Sequence, residues 1–489
     1  MRFILMGTFF ACLTLHGCAL APEPSHDAII HKALPIDTKI PSIWKSSDGQ
    51  IFPKGVVAND WLKSLNDPAL EAIVSEAIKY NPDLVVAAER VRVAQQSVVV
   101  VGAALLPHIG AVAGGRTITS EGVSGLSNSN MAYVGANWEI DVWGKLRSQQ
   151  AAASDSFQAT AMDYANARQS LAATVARAWY TAIEANRLVL LSLQKVKIYA
   201  NLLKLVEARV SAGKDADLDL MVMRANGDSA QADLDAAEEA YAQIRRSLEL
   251  LLGRYPSAEI AVANEFPEMT PLPNAGAPAE LLNRRPDVVA AEKRVLAAFR
   301  QSESAKLTLL PSFRLSFLGG DIADPALALL KLNPWLATGA LGAFLPVYEG
   351  GALRAQIQIA SAQESMAVAY YGSVVLKAFS EVEGALFNEQ YLAKRVSSTR
   401  KVTINRANAV EIATIQYKLG RRDSLWVANL QNTQLTSDSD LIRDNALLRL
   451  NRIALLSSLG GGYDSNPSTD VSSLEKHLED HRDEKSVLK

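Results

Sequence analysis

Cysteine is nearly missing from this chain. Only Cys12 and Cys18 occur in 489 residues, both at the extreme N-terminus. No disulfide framework can therefore brace the body of the protein. Histidine is scarce too, and five of the six (His16, His26, His31, His477 and His481) lie near the ends. That placement argues against a histidine-built catalytic or metal core. His477 and His481 stand four apart, a spacing that suits zinc, but no third ligand accompanies them and the surrounding tail is charged, so they read as a solvated tail. An excess of charge of one sign is lacking: 49 Lys+Arg face 52 Asp+Glu, which argues against nucleic acid as a partner. There is no Gly-rich phosphate loop and no nucleophile elbow. Nor is there an apolar run of about 18 residues, so no transmembrane helix is expected. Aromatics are 7% against 49% apolar residues. Alanine and valine supply the difference and favour helices in close contact over a thick aromatic core.

What the N-terminus does contain is an export signal. Arg2 precedes an apolar stretch over residues 3–15, too short to span a bilayer but fitting for a signal-peptide core. Leu15-His16-Gly17-Cys18 resembles a bacterial lipoprotein box, in which the cysteine becomes the acylated first residue of the mature chain. His16 is unusual in such a box, and an ordinary cleaved signal with an incidental cysteine is the alternative. Ala19, rather than the Asp that enterobacterial rules associate with inner-membrane retention, implies delivery to the outer membrane. The expected lipid is an N-acyl and S-diacylglycerol group on Cys18, with no other cofactor and no metal.

The rest is a tandem repeat. The segment Asn81-Pro82-Asp83 to Val91 matches Arg285-Pro286-Asp287 to Val295 at an offset of 204, and Leu105-Leu106-Pro107 matches Leu309-Leu310-Pro311 at the same offset. Gly213 with Leu218 matches Gly420 with Leu425, and Leu252-Gly253 matches Leu459-Gly460, both at 207. The organisation expected is a signal peptide 1–17, an N-terminal anchored segment 18–69, repeat one 70–253, a Pro/Ala-rich non-helical linker 254–280, repeat two 281–460 and a tail 461–489.

Each repeat has the same grammar. A helix starts at the Pro-Asp pair and stops before Pro107 or Pro311. A Gly-rich stretch follows, then two long helical segments broken at Gly213 or Gly420. Lys145 to Val210 is 66 residues without Gly or Pro, 15 of them Ala, and Arg421 to Leu459 is another 39. Globular helices usually run about 10–14 residues; 66 would reach on the order of 100 Å. Leu191, Ile198 and Leu205, with Leu202 between, form a coiled-coil-like seam. The Gly-rich stretches discriminate against a plain coiled coil. Over Met131 to Trp143 apolar and polar residues alternate, and Phe313, Leu315 and Phe317 alternate with Ser312, Arg314 and Ser316. That is the period and length of outer-membrane barrel strands, with a soluble hairpin as the alternative. The segments 107–117 and 335–347 alternate poorly and are assigned as strands by position in the repeat. Four strands cannot sit in lipid with open edges, so the sheet must close with further copies of the chain.

These features together resemble the TolC-like outer membrane efflux proteins, in particular the lipoprotein branch that serves tripartite resistance-nodulation-division (RND) pumps. The carriers are the Cys18-Ala19-Leu20-Ala21-Pro22 start, the Asn137 to Arg147 string NWEIDVWGKLR, Leu282 to Val288 (LNRRPDV) and Tyr417 to Leu425 (YKLGRRDSL). The resemblance covers essentially the whole mature chain. It implies an α+β membrane protein: a homotrimer with a 12-stranded outer-membrane β-barrel and a long periplasmic α-barrel, an equatorial region taking linker and tail, and a periplasmic tip opened by an adaptor and an inner-membrane RND transporter. The function implied is an exit duct for small molecules, not an enzyme. A type I secretion duct and a non-conducting periplasmic spacer are the alternatives.

The resemblance also places candidate residues. Asp219 and Arg422 occupy the positions of a tip latch, and Tyr417 those of a further tether. Two solvated charges are the competing reading, since exposed pairs contribute only about 0–1 kcal/mol. Asp215 and Asp217 would form an acidic entrance cluster. Trp426 and Asn429 stand where several relatives carry inward aspartates, so Trp426 is either an apolar constriction or helix packing. Glu139 and Asp141 are a carboxylate pair of the kind glycosidases use, but two residues apart on one strand they are expected to line a barrel lumen.

Overall fold

The computed structural model describes residues 21–35, 39–47, 60–118, 127–272, 274–323 and 335–462. The signal peptide 1–17, Cys18, and His477 and His481 in the tail lie outside the described residues. No described helix is long and apolar enough to cross a membrane.

The elements in chain order are α1 (His26–Ala33), α2 (Pro68–Tyr80), α3 (Pro82–Gly102), β1 (His108–Ile118), β2 (Ser127–Ile140), α4 (Lys145–Ser211), α5 (Asp217–Leu251), α6 (Leu281–Arg284), α7 (Pro286–Leu307), β3 (Ser312–Ala323), β4 (Trp335–Phe344), α8 (Ala352–Lys418) and α9 (Ser424–Ser458). The duplication is written into their lengths: α4 and α8 are 67 residues each, α5 and α9 are 35 each. Glycines with positive φ punctuate both halves at an offset of 207. Gly144 (82°) pairs with Gly351 (88°), Gly213 (68°) with Gly420 (72°), and Gly253 and Gly460 are both at 73°. Between them Ala, Leu, Lys, Arg, Glu and Gln dominate, so nothing interrupts the helix.

The residues divide into two compact units. The first comprises Met1–Thr38, Glu89–Ala161 and Ala290–Val374. It contains one four-stranded antiparallel sheet in the order β1-β2-β3-β4, with β2 and β3 joining the two repeats. The register opposes Ala136 to Ile109 and Phe317, Val134 to Ala111 and Gly319, and Leu315 to Trp138 and Leu341. Directly opposed residues share a face. One face thus carries Ile109, Ala111, Val134, Ala136, Trp138, Ile140, Phe313, Leu315, Phe317 and Leu341. The other carries Gly110, Gly114, Gly135, Asn137, Glu139, Arg314, Ser316 and Thr338, with Val112, Leu318 and Phe344 among them. Poorly alternating β1 and β4 are strands because their partners order them. Ile109 and Leu341 on the apolar face remain 74% and 69% exposed. The outer edges of β1 and β4 have no strand partner among the described residues. In the same unit Arg300 binds the carbonyl of Ala21 (2.6 Å) and the carboxylate of Glu23 (2.7 Å), while His26 contacts Glu292 (2.9 Å). A Cβ on Gly372 would meet the Ala33 carbonyl at 2.4 Å, so only glycine lets α1 lie so close.

The second unit comprises Lys39–Ala88, Met162–Val289 and Val375–Lys489. Its main core gathers Trp61, Leu65, Leu70, Val74, Val175, Trp179, Tyr180, Ile183, Leu248, Leu252 and Ile453. Asp67 both caps α2, accepting from Leu70 N–H (3.1 Å), and accepts from Trp179 Nε1 (3.0 Å). Among its described residues, the linker after Leu252 forms no helix until residue 278. The carbonyl of Gly462 accepts from the backbone N–H of Asp60 (2.7 Å) and Trp61 (3.3 Å), which seats the start of the tail here.

Candidate functional site

The tip of the helical hairpins is where sequence and structure concentrate specific chemistry. Both turns close in the same way. Gly213 N–H donates to Val210 O and Lys214 N–H to Arg209 O, each at 2.9 Å; Gly420 N–H donates to Tyr417 O and Arg421 N–H to Gln416 O, each at 2.9 Å. A six-to-one bond with glycine in the left-handed region is the usual helix stop. Asp423 then caps α9, accepting from Trp426 N–H at 2.7 Å.

A three-residue knot joins the two turns. Arg209 donates through Nε to both carboxylate oxygens of Asp215 at 3.0 Å. The hydroxyl of Tyr417 donates to Asp215 Oδ2 at 3.1 Å. The Arg209 guanidinium lies 4.8 Å from the centre of the Tyr417 ring, within cation–π range. Tyr417 is fully buried and the Asp215 side chain is 7% exposed. Burial, reinforced by the bond to Asp215, pushes the Tyr417 hydroxyl up to about 12, so it stays a donor at neutral pH. Around the knot pack Tyr199, Leu202, Val206, Met223, Ala413, Val427 and Ala428. The buried stripe on α4 follows Tyr199, Leu202 and Val206; Leu205, placed in the seam by heptad counting, is more than one-third exposed.

The other expected tip residues stand elsewhere. Asp219 accepts from the backbone N–H of Ala216 at 3.2 Å and so caps its own helix. Among the described residues no ion pair joins Asp219 to Arg422 within the chain; the Arg422 guanidinium lies 4.8 Å from the Trp426 ring centre. Trp426 is half-buried against the tip cluster. Asp215 is neutralised by Arg209 and is no free entrance charge, while Asp217 is exposed at the first position of α5, where a helix dipole favours an acid. Sequence reasoning missed Arg209. The usable signal was asymmetry between repeats: at an offset of 207, Arg209 corresponds to Gln416 and Asp215 to Arg422.

At the base of the sheet the expected lumen pair separates. β2 ends at Ile140, so Asp141 is not a strand residue. Its carboxylate accepts from Leu146 and Arg147 N–H (3.0 Å each) and from Arg147 Nε (3.1 Å). The free amides at the start of α4 take it up. This corrects the lumen assignment of Asp141. Glu139 is on the strand, paired with Lys145 and 3.7 Å from Arg314. The matching position in the second repeat is Tyr348, so α8 starts without such a carboxylate.

The family model "Outer membrane efflux protein" matches residues 73–254 and 277–461. The chain is 29% identical to the pyoverdine export outer membrane protein OpmQ of Pseudomonas putida, over 88% of this chain and 93% of the relative. Among solved structures it is similar to the Campylobacter jejuni CmeC outer membrane channel, with a TM-score of 0.82 at 19% identity over 94% of this chain and 98% of the other. It is also similar to the outer-membrane channel OprN, with a TM-score of 0.78 at 24% identity over 88% and 99%. With both repeats matched in order and the fold shared along nearly its whole length, this chain belongs to the outer membrane efflux protein family.

Proposed function

We propose that the chain is the outer-membrane exit duct of a tripartite RND efflux pump, passing small molecules passively to the exterior. The observation that carries this is the four-stranded sheet with one apolar face, one polar and glycine-rich face and two edges unpaired among the described residues, in one chain with 67-residue helices. A soluble spacer has no use for an exposed apolar sheet face. In lipid the open edges must be paired, and three copies in cyclic symmetry close them into 12 strands, the apolar face outward. The helices then extend into the periplasm toward an adaptor and an inner-membrane transporter. An acylated Cys18 holds the N-terminus at the outer membrane, just ahead of the segment that Arg300 binds.

In this reading the Arg209–Asp215–Tyr417 knot keeps the two turns of one subunit together, and Arg422 and Asp219 remain available to neighbouring subunits. Single-channel conductance in planar bilayers tests it. Wild type is expected to show a small conductance, and Tyr417→Phe and Asp215→Asn a larger one. An increase in Arg422→Ala as well would mean that charges between subunits share the latch. Conducting channels indifferent to all three changes would remove the tip knot from the gate. A folded trimer silent in every variant would count against the duct itself.

A further inference from the structure

A second site lies away from the tip, in the second unit. A cleft of about 560 Å³ opens between α4, α9, α8 and the linker. That volume is in the range of small-molecule sites, about 300–1,000 Å³. Its walls combine apolar side chains such as Leu190, Leu441 and Ile442 with three arginines, Arg187, Arg400 and Arg449. Arg449 is 7% exposed. It donates to the carbonyls of Asn445 (3.0 Å) and Pro267 (2.5 Å), and its buried Nε–H has no hydrogen-bond partner among the described residues. Two guanidiniums approach the Phe266 ring, Arg449 at 4.6 Å and Arg187 at 5.7 Å from its centre.

Among the described residues no carboxylate forms an ion pair with Arg449, Arg187 or Arg400. The cleft's own acids are Glu265, which is exposed, and Asp438, whose carboxyl is pushed up by burial and so is held less firmly as an anion. Burial pulls Arg449 down to about 10, and the neighbouring Arg187 adds to the pull. A buried cation without a counter-charge is costly. Neutral carbonyls and one aromatic face offset only part of that cost, and an anion with an apolar body would complete both halves of the site. Arg gives such a ligand a planar, multi-donor contact.

We propose that this cleft binds a small amphipathic organic anion, an aromatic or alkyl carboxylate, with its charge on Arg449 and Arg187 and its apolar body against Phe266 and the leucines.

The test uses the full chain in phosphatidylcholine nanodiscs, titrated by calorimetry with 1-naphthoate and with its uncharged analogue 1-naphthalenemethanol. The expected result is saturable binding of one naphthoate per chain, at least about tenfold tighter than the alcohol. Arg449→Met should weaken naphthoate by about tenfold and leave the alcohol unchanged, as expected on losing a charged hydrogen bond. Arg187→Gln should act in the same direction, and it carries the test if Arg449→Met does not fold. Equal affinity for the two probes would overturn the proposal. So would a folded protein that binds neither, the outcome expected if a carboxylate of a neighbouring polypeptide already fills the cleft.

Discussion

At the scale of single residues, the linker shows most plainly how side chains stand in for secondary structure. Its backbone has no ladder, and buried N–H and C=O groups must still be paired. Glu249 accepts from the N–H groups of Ala258 (2.6 Å), Glu259 (2.7 Å) and Ile260 (2.9 Å). Arg245 donates to Ile260 O (3.0 Å), and Arg452 to Thr270 O (2.8 Å) and Pro271 O (2.9 Å) while paired with Glu389. Burial alone would raise the Glu249 carboxyl, but the three N–H donors bring it below the usual carboxylate range. A depressed carboxyl adds stability above its unfolded pKa of about 4.3, and that stability is lost as pH falls through the lower folded value. Hydrogen exchange should therefore show the amides of residues 258–260 losing protection below about pH 4. Glu249→Gln, which cannot satisfy three donors, should cost about 1–3 kcal/mol in denaturant unfolding at neutral pH. None of these pairings is legible in the sequence, because each joins a helix to a segment with no periodicity of its own. The same holds at the tip. Asp219 looks free in the sequence, but it sits three residues into a helix and bonds its own N-terminus first. Asp215, one turn earlier, is the acid that reaches across.

At the scale of elements, the boundaries were the easiest thing to read. Gly and Pro fix many helix ends: of the six left-handed glycines at an offset of 207, Gly144 and Gly351 precede α4 and α8, and the other four follow α4, α5, α8 and α9. Those glycines are not equivalent in cost. A Cβ on Gly213 would meet nothing within 4 Å, while one on Gly253 would lie 2.7 Å from the Tyr80 carbonyl oxygen. Gly213→Ala should thus cost only the left-handed backbone term, about 1–2 kcal/mol. Gly253→Ala should cost clearly more, because α2 must also move. Thermal unfolding of the two variants side by side decides it; equal losses would mean that the close approach relaxes freely. Strands β1 and β4 were harder to read. Glycine and alanine dilute their alternation, and their facing follows only from the register with β2 and β3.

At the scale of the whole molecule, the two faces of the sheet make separable demands. Leu315 is on the apolar face and Ser316 on the polar one. In an outer-membrane barrel, Leu315→Arg should destabilise by about 2–4 kcal/mol near the bilayer midplane, while a charge on the inner face changes selectivity. Leu315→Arg is therefore expected to lower the amount of assembled protein in outer-membrane fractions. Ser316→Arg should leave that amount unchanged and shift the channel toward anions. The reversed pattern would mean that the faces are assigned the wrong way round.

The sequence by itself determined the duplication, the helix lengths, the turns and the two-faced character of β2 and β3, because these depend on local propensity and short-range periodicity. It also carried the family resemblance. Only the tertiary structure decided which charges meet: that Tyr417 and Arg209 converge on Asp215, that Asp141 caps a helix instead of lining a strand, and that Arg449 is buried with no ion-pair partner among the described residues. Such contacts join residues as far as 202 positions apart, and their partners are chosen by packing geometry that no local pattern records.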